Sequence, residues 1–274
     1  MKAKKSLGQN FLENKNALKK MAAALAPRSG ETIIEIGPGH GELTKELRTE
    51  NSESRIIAIE KDGRLADLLK DFLKNDPNIE IITGDALKSI PEIAKHTKYQ
   101  IRNTKYTVVG NIPYYITGHL LRVLSELEPK PRKIVLLTQK EVAERVCARP
   151  PKMNLLAASV QFWAEPKILM SVGRRDFHPA PKVDSAVLEL LPRPRTAAEP
   201  EVIDGYYSLI RALFKQPRKT VLNNLATSDT RQATRSELTE KLERLGVRPN
   251  DRAQNLTIED IKRLARGIKS GKNV

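Results

Sequence analysis

Thr32-Ile33-Ile34-Glu35-Ile36-Gly37-Pro38-Gly39-His40-Gly41 decides the fold. Its first five residues are mostly apolar and β-branched, the make-up of a buried strand. Three glycines follow within five positions, and residues 42–47 then take up helical spacing. A strand that passes through a glycine-rich turn into a helix is the opening unit of an α/β sheet. Glycine lets the backbone approach a ligand closely. The competing reading is a turn that merely packs the helix on the strand. Gly41 arrives one position early for the dinucleotide fingerprint G-x-G-x-x-G, and Pro38 sits inside the motif. The turn therefore suits a cofactor without phosphates better than a pyrophosphate seated on the helix N-terminus.

The same alternation extends outward. Upstream, residues 16–26 place Leu18, Met21, Ala22 and Leu25 on one helical face, and Pro27 and Gly30 end that helix. Downstream, strands are predicted at 55–59, 79–82, 106–110 and 133–138, with helices at 65–73 and 116–127. Later strands are predicted at 155–162 and 183–190. Strands alternating with helices predict an α/β fold with a mainly parallel, doubly wound, Rossmann-like sheet. Pro192-Arg193-Pro194-Arg195 reads as a linker. Helical stretches near 206–214, 219–225, 236–245 and 258–267 follow it. Two domains are expected, 1–192 and 193–274, the second small and all-helical.

Open α/β sheets bind ligands at the carboxyl ends of their strands. Here four predicted strand ends carry candidate ligand groups: Gly37 with Gly39, then Glu60, Asp85 and Asn111. Glu60 stands roughly 20 residues beyond the glycine turn, where an acid can accept both hydroxyls of a ribose. Its bland alternative is a surface acid beside Lys61. Asp85 can take the amino group of an adenine ring or serve as a helix N-cap, and the two roles are compatible. The cofactor that fits is an adenosine-bearing molecule lacking a pyrophosphate, S-adenosylmethionine above others.

Asn111-Ile112-Pro113-Tyr114-Tyr115 fits the task of holding a flat base by its amino group. Asn111 offers a neutral amide oxygen as acceptor. Pro113 biases Ile112 toward an extended shape, so the Ile112 carbonyl can aim at the same ligand. Tyr114 supplies an aromatic face for stacking.

The 274 residues hold 48 Lys+Arg against 33 Asp+Glu, a net charge of +15, with 39% hydrophobic residues. Such a surplus favours a polyanionic partner through phosphate contacts. Lys2, Lys4, Lys5, Arg211, Lys215, Arg218 and Lys219 are the candidate RNA contacts, and within one helix Arg211, Lys215 and Arg218 would share a face. The alternative for each is a solvated surface. A single cysteine, Cys147, excludes an internal disulfide framework and a thiolate zinc site, and four scattered histidines give no reason to expect a metal. The N-terminal stretch lacks the apolar core of a signal peptide, and no stretch has the apolar length of a membrane helix. A cytoplasmic monomer without membrane contact is expected.

Ordered motifs then bring a known family into view. Gly8-Gln9-Asn10-Phe11-Leu12, Glu35-Ile36-Gly37-Pro38-Gly39-His40-Gly41, Gly84-Asp85-Ala86-Leu87, Gly110-Asn111-Ile112-Pro113-Tyr114, Phe177-His178-Pro179-Ala180-Pro181 and Arg252-Ala253-Gln254-Asn255-Leu256 occur in sequence. With them the chain resembles, over nearly its whole length, the ribosomal RNA adenine N6-dimethyltransferases, in particular the bacterial 16S type. The resemblance implies a class I methyltransferase domain that uses S-adenosylmethionine and releases S-adenosylhomocysteine. It implies that Gln9, Asn10 and Leu12 close over the cofactor, and that Tyr114 and Phe177 sandwich the target adenine. For Phe177, core packing is the alternative. The implied substrate is a pair of adjacent adenines near the 3′ end of 16S ribosomal RNA, within the small subunit or its precursor. The alternatives are a large-subunit methylase of the antibiotic-resistance type and a non-catalytic RNA-binding assembly or transcription factor on the same fold.

Overall fold

The computed structural model describes residues 3–96, 105–194, 199–227 and 234–269. Two compact units are present, one formed by Met1–Ala143 with Glu165–Pro192, the other by Glu144–Ala164 with Arg193–Val274. The expected cut after Pro192 is one of the crossings. Residues 144–164, assigned to the first domain from the sequence, cluster with the second unit instead.

In chain order the first unit contains β1 (Phe11–Leu12), α1 (Lys15–Leu25), β2 (Thr32–Ile36), α2 (Glu42–Glu50), β3 (Arg55–Glu60), α3 (Gly63–Leu73), β4 (Ile79–Thr83) and α4 (Ala86–Lys95). It continues with β5 (Tyr106–Asn111), α5 (Thr117–Glu126), β6 (Lys133–Gln139) and the start of α6 (Lys140–Val146). α7 (Leu155–Gln161) belongs to the second unit, and the first resumes along β7 (Ala164–Val172), β8 (Phe177–His178) and β9 (Ser185–Pro192). A seven-stranded sheet runs in the order β4-β3-β2-β5-β6-β9-β7. The pairs from β4 to β6 are parallel, and β9 lies antiparallel to β6. β2 is buried at all five positions, as expected of an interior strand covered on both faces. The chain leaves β2 toward β3 and β4 and returns to its other side with β5. The switch point of the sheet therefore lies between the ends of β2 and β5, where a ligand crevice forms.

Helix α1 buries Ala17, Leu18, Met21, Ala22 and Leu25 in one core with Ile33, Val109 and Val135 of the sheet. Asn14 caps it by accepting the Ala17 N–H at 3.0 Å. Gly110 allows the tightest strand contact, since a Cβ there would lie 2.5 Å from the Ile36 carbonyl oxygen.

The second unit adds α8 (Glu199–Leu213), α9 (Val221–Ala226), α10 (Arg235–Arg244) and α11 (Ile258–Lys269). Its core joins Tyr206, Ile210, Leu213, Leu222, Leu242, Ile261 and Leu264 with Ala157 and Ala158. The Tyr206 hydroxyl donates to the Ala158 carbonyl at 2.9 Å.

Three sequence expectations fail here. Residues 155–162, expected as a strand, instead hold α7, which ends at Gln161. Asn154 accepts the Ala157 N–H at 3.0 Å, and a short apolar run with two alanines obeys the cap rather than the strand pattern. β7 was missed because Pro166 interrupts its pattern. At the edge of a sheet a proline is tolerated. α8 ends at Leu213, so Lys215 and Arg218 do not extend the face of Arg211. The chain turns instead around buried Asn224, whose side chain accepts the Gln216 N–H at 3.2 Å and donates to the Gln216 carbonyl at 3.0 Å.

Candidate active site

The tips of β2, β3, β4 and β5 surround a cleft of about 780 Å³, its open mouth included. Gln9, Asn10, Gly37, Gly39, Glu60, Asp85, Asn111, Ile112, Pro113 and Tyr114 all line it. Leu12 and Phe177 do not. They pair across the β1–β8 ladder and are each 4% exposed, in a core shared with Val172 and Val187. The core-packing alternative therefore describes Phe177 in this structure. The next residues, His178, Pro179 and Ala180, are exposed, His178 being the last residue of β8.

Three consecutive residues at the end of β3 hold three walls of the cleft. Glu60 is buried. Its Oε2 accepts the Gly39 N–H at 3.1 Å and its Oε1 accepts the Asp62 N–H at 2.8 Å. Burial raises its pKa, against the pull of those N–H groups. A carboxylate offers about four acceptor directions, so backbone donors do not exhaust it. Lys61 Nζ meets Asp85 Oδ2 at 2.7 Å and holds the Asp85 carboxyl below its ordinary value. Asp85 Oδ1 meanwhile caps α4 through the Leu87 N–H at 3.0 Å. Asp62 turns toward the N-terminal segment. It receives Lys4 Nζ at 2.9 Å on Oδ1 and Gln9 Nε2 at 3.2 Å on Oδ2. The Arg64 guanidinium, Lys4 and Gln9 together keep its carboxyl well below the usual range.

The glycine turn is shaped for close approach. Gly39 has φ of +62°, and a Cβ on it would stand 2.9 Å from the Phe11 ring. Glu60 and Asp85 line the cleft together with Lys61, so a ribose and an adenine amino group would find acceptors there. The residues present thus fit an adenosine moiety.

At the tip of β5 the Asn111 Nδ2 donates to the Asn10 carbonyl at 2.8 Å. A main-chain carbonyl can only accept, so this contact fixes which end of the amide is nitrogen. Oδ1 is the end left for the cleft. The Ile112 N–H is used on the Leu137 carbonyl at 3.2 Å, while no donor among the described residues reaches the Ile112 carbonyl. The Tyr114 hydroxyl lies 2.7 Å from Ser185 Oγ, which fixes the ring in plane, and burial raises the phenol's pKa.

Sequence reasoning missed Asp62 and Ser185. Asp62 carried a detectable N-cap signal before α3, but its partners Lys4 and Gln9 are remote in sequence. No local pattern could have joined Ser185 to Tyr114. Among the candidate RNA contacts, Lys5, Arg211, Lys215, Arg218 and Lys219 are exposed, Lys4 is paired with Asp62, and Lys2 lies outside the described residues. Among the described residues there is no His/Cys/Asp/Glu group able to hold a metal, and no helix is long and apolar enough to cross a membrane.

Comparison with known proteins agrees with this geometry. The chain is 36% identical over 264 residues to "Ribosomal RNA small subunit methyltransferase A" of Dehalococcoides mccartyi strain BAV1, covering 96% of this chain and 88% of the relative. It is 37% identical over 271 residues to the protein of the same name from Alkaliphilus oremlandii, covering 97% and 92%. Among solved structures, a dimethyladenosine transferase from Plasmodium falciparum superposes with a TM-score of 0.77 at 27% identity, covering 95% of this chain and 98% of that one. The 23S rRNA methyltransferase ErmE does so with 0.73 at 25% identity, covering 95% and 100%. The sequence model of ribosomal RNA adenine dimethylase matches residues 1–269, and with a cleft of this make-up at its strand tips the chain belongs to that family.

Proposed function

We propose that this protein transfers methyl groups from S-adenosylmethionine to N6 of two adjacent adenines near the 3′ end of 16S ribosomal RNA, giving N6,N6-dimethyladenines. The carrying observation is the fixed Asn111 amide. Its nitrogen is committed to Asn10, which supports its oxygen, with the Ile112 carbonyl, as the acceptor of an amine's hydrogens.

Gly37, Gly39, Glu60 and Asp85 would hold the cofactor, with Glu60 on the ribose and Asp85 on the adenine. The cofactor supplies a methyl group already activated on a sulfonium, so no residue has to act as a strong acid. What the chain must do is prepare the nucleophile. The lone pair of adenine N6 is delocalised into its ring. Acceptance of the amine hydrogens by Asn111 Oδ1 and the Ile112 carbonyl favours a tetrahedral nitrogen and frees that pair. Asn111 is neutral and cannot serve as a strong base, so the proton leaves to water after transfer. Tyr114, braced by Ser185, gives the extruded base a stacking surface worth roughly 1–3 kcal/mol. Extrusion itself costs a few kcal/mol.

The exposed cations supply binding to RNA that positions without reading sequence. Relatives named for the small subunit at 36–37% identity support a 16S substrate over the large-subunit alternative represented by ErmE at 25%. The test is incubation with labelled S-adenosylmethionine and undermethylated 30S particles, followed by primer extension. Label at the paired adenines of 16S RNA is expected. Label only on large-subunit RNA would establish the alternative methylase, and tight particle binding without label would establish a binding factor. Asn111→Ala is expected to abolish transfer with RNA binding nearly intact.

A further inference from the structure

The segment before β1 is fastened at two places. At one, the Lys4 N–H donates to Gln9 Oε1 at 2.7 Å, while Lys4 Nζ and Gln9 Nε2 both donate to the Asp62 carboxylate. Asp62 has no exposed side-chain surface, and Arg64 satisfies it from the other side at 2.7 Å. At the second place, the Asn10 carbonyl receives Asn111 Nδ2. One short arm therefore spans the distance between a buried carboxylate and the amide at the tip of β5.

An asparagine amide is almost symmetric in shape and opposite in hydrogen-bonding sense at its two ends. Rotated by half a turn, Asn111 would present N–H groups to the target amine, which itself has only hydrogens to offer. The Asn10 carbonyl forbids that rotation, because an NH₂ can donate to it and an amide oxygen cannot. Among the described residues, no other hydrogen bond holds the Asn111 side chain.

We infer that the N-terminal arm is part of the catalytic apparatus: the Asn10 main-chain carbonyl sets Asn111 with its oxygen toward the target amine, and Asp62 is the positioning residue that holds the arm through Lys4 and Gln9. This rests on the reading of Asn111 as acceptor for the amine. Asp62 does not line the cleft, and its side chain has no exposed surface. Its effect runs through the arm to one amide.

The test uses the full chain with Lys4→Met, Gln9→Ala and Asp62→Asn, the last keeping a side chain that still caps α3. The first readout needs no activity: tryptic cleavage after Lys5 in the cofactor-free protein, expected several-fold faster in each variant. The second is methyl transfer at saturating cofactor. An amide free to occupy its wrong orientation for half to nine-tenths of the time lowers kcat by about two- to tenfold, and added cofactor does not restore it. Lys4→Arg, which keeps the pair, is expected to retain the wild-type rate. Lys4→Met added to Asp62→Asn is expected to cost nothing further.

A released arm with undiminished kcat would overturn the inference, as would wild-type cleavage rates in all three variants. A merely structural fault would lower the melting temperature of Lys4→Met and would not be mended by arginine. Failure of the underlying functional reading is separately visible, because the wild-type protein would then label no RNA in the same assay.

Discussion

Glu60 Oε2 accepts the Gly39 N–H at 3.1 Å, which ties the end of β3 to the glycine turn after β2. The carboxylate thus shapes the turn while keeping acceptor directions for a ribose. Hydrogen bonds to a charged acceptor contribute roughly 1.5–3 kcal/mol each. Glu60→Ala is expected to weaken cofactor binding by roughly ten- to a hundredfold in calorimetric titration, with RNA affinity unchanged. The orphaned Gly39 N–H also predicts a lower melting temperature, which Glu60→Gln should partly recover. Equal cofactor affinity in the alanine variant would assign the ribose to another group.

Gly110 faces Ile36 across the parallel β2–β5 pair. A Cβ at Gly110 would stand 2.5 Å from the Ile36 carbonyl oxygen and 2.8 Å from the Ile36 Cβ. The neighbour is backbone within a central strand, so relief requires the two strands to part at the floor of the cleft. Gly110→Ala is expected to lose roughly 3 kcal/mol or more of stability. A urea melt matching that of the wild type would show that the strands can yield.

The legible part of this molecule was the part written locally. Strand followed by glycine turn followed by helix placed β2 and α2, and the acids ending β3 and following β4 could be read as tip residues from spacing alone. What was lost depended on partners distant in sequence. Phe177 reads by resemblance as a base-stacking residue, yet Leu12 pairs with it and draws it into the core. α7 is decided by a cap on Asn154 and a contact from Tyr206, neither visible in an apolar run of seven residues. Asp62 advertised only its cap. The amide orientation of Asn111 follows from the carbonyl of Asn10, 101 residues away in sequence, and no pattern of residues encodes it.

Glu35 lies in the middle of β2 with no exposed surface. Thr44 Oγ1 donates to its Oε2 at 2.7 Å, and its Oε1 has no hydrogen-bond partner. Burial pushes its pKa from 4.5 up to about 8. The folded protein therefore keeps this proton to about pH 8, whereas the unfolded chain releases it near 4.5. Between those values the unfolded state binds fewer protons, so the contribution of this group to stability is full at low pH and falls as pH rises. Glu35→Gln, close in size and always neutral, is expected to remove that slope, an effect of a few kcal/mol over the interval. Urea melts should show the variant gaining on the wild type from pH 5 to pH 8. Parallel curves would mean that Glu35 is ionised in the fold.

Arg211, Lys215, Arg218 and Lys219 are exposed at the end of α8 and in the turn that follows it. Because the turn breaks the expected helical face, these cations follow a bend rather than a straight stripe. That placement suits contact with phosphates of a folded RNA more than with a rigid duplex groove. Each phosphate contact contributes about 0.7–0.9 to the slope of log affinity against log salt. Replacing all four by glutamine is expected to reduce that slope by about 3 for undermethylated 30S particles, with cofactor affinity unchanged. Lys4, whose charge already faces Asp62, is expected to contribute less to the slope than any of the four. An unaltered salt dependence in the fourfold variant would leave these cations as a solvated surface and move the search for the RNA contact to the first unit, beginning at Lys5.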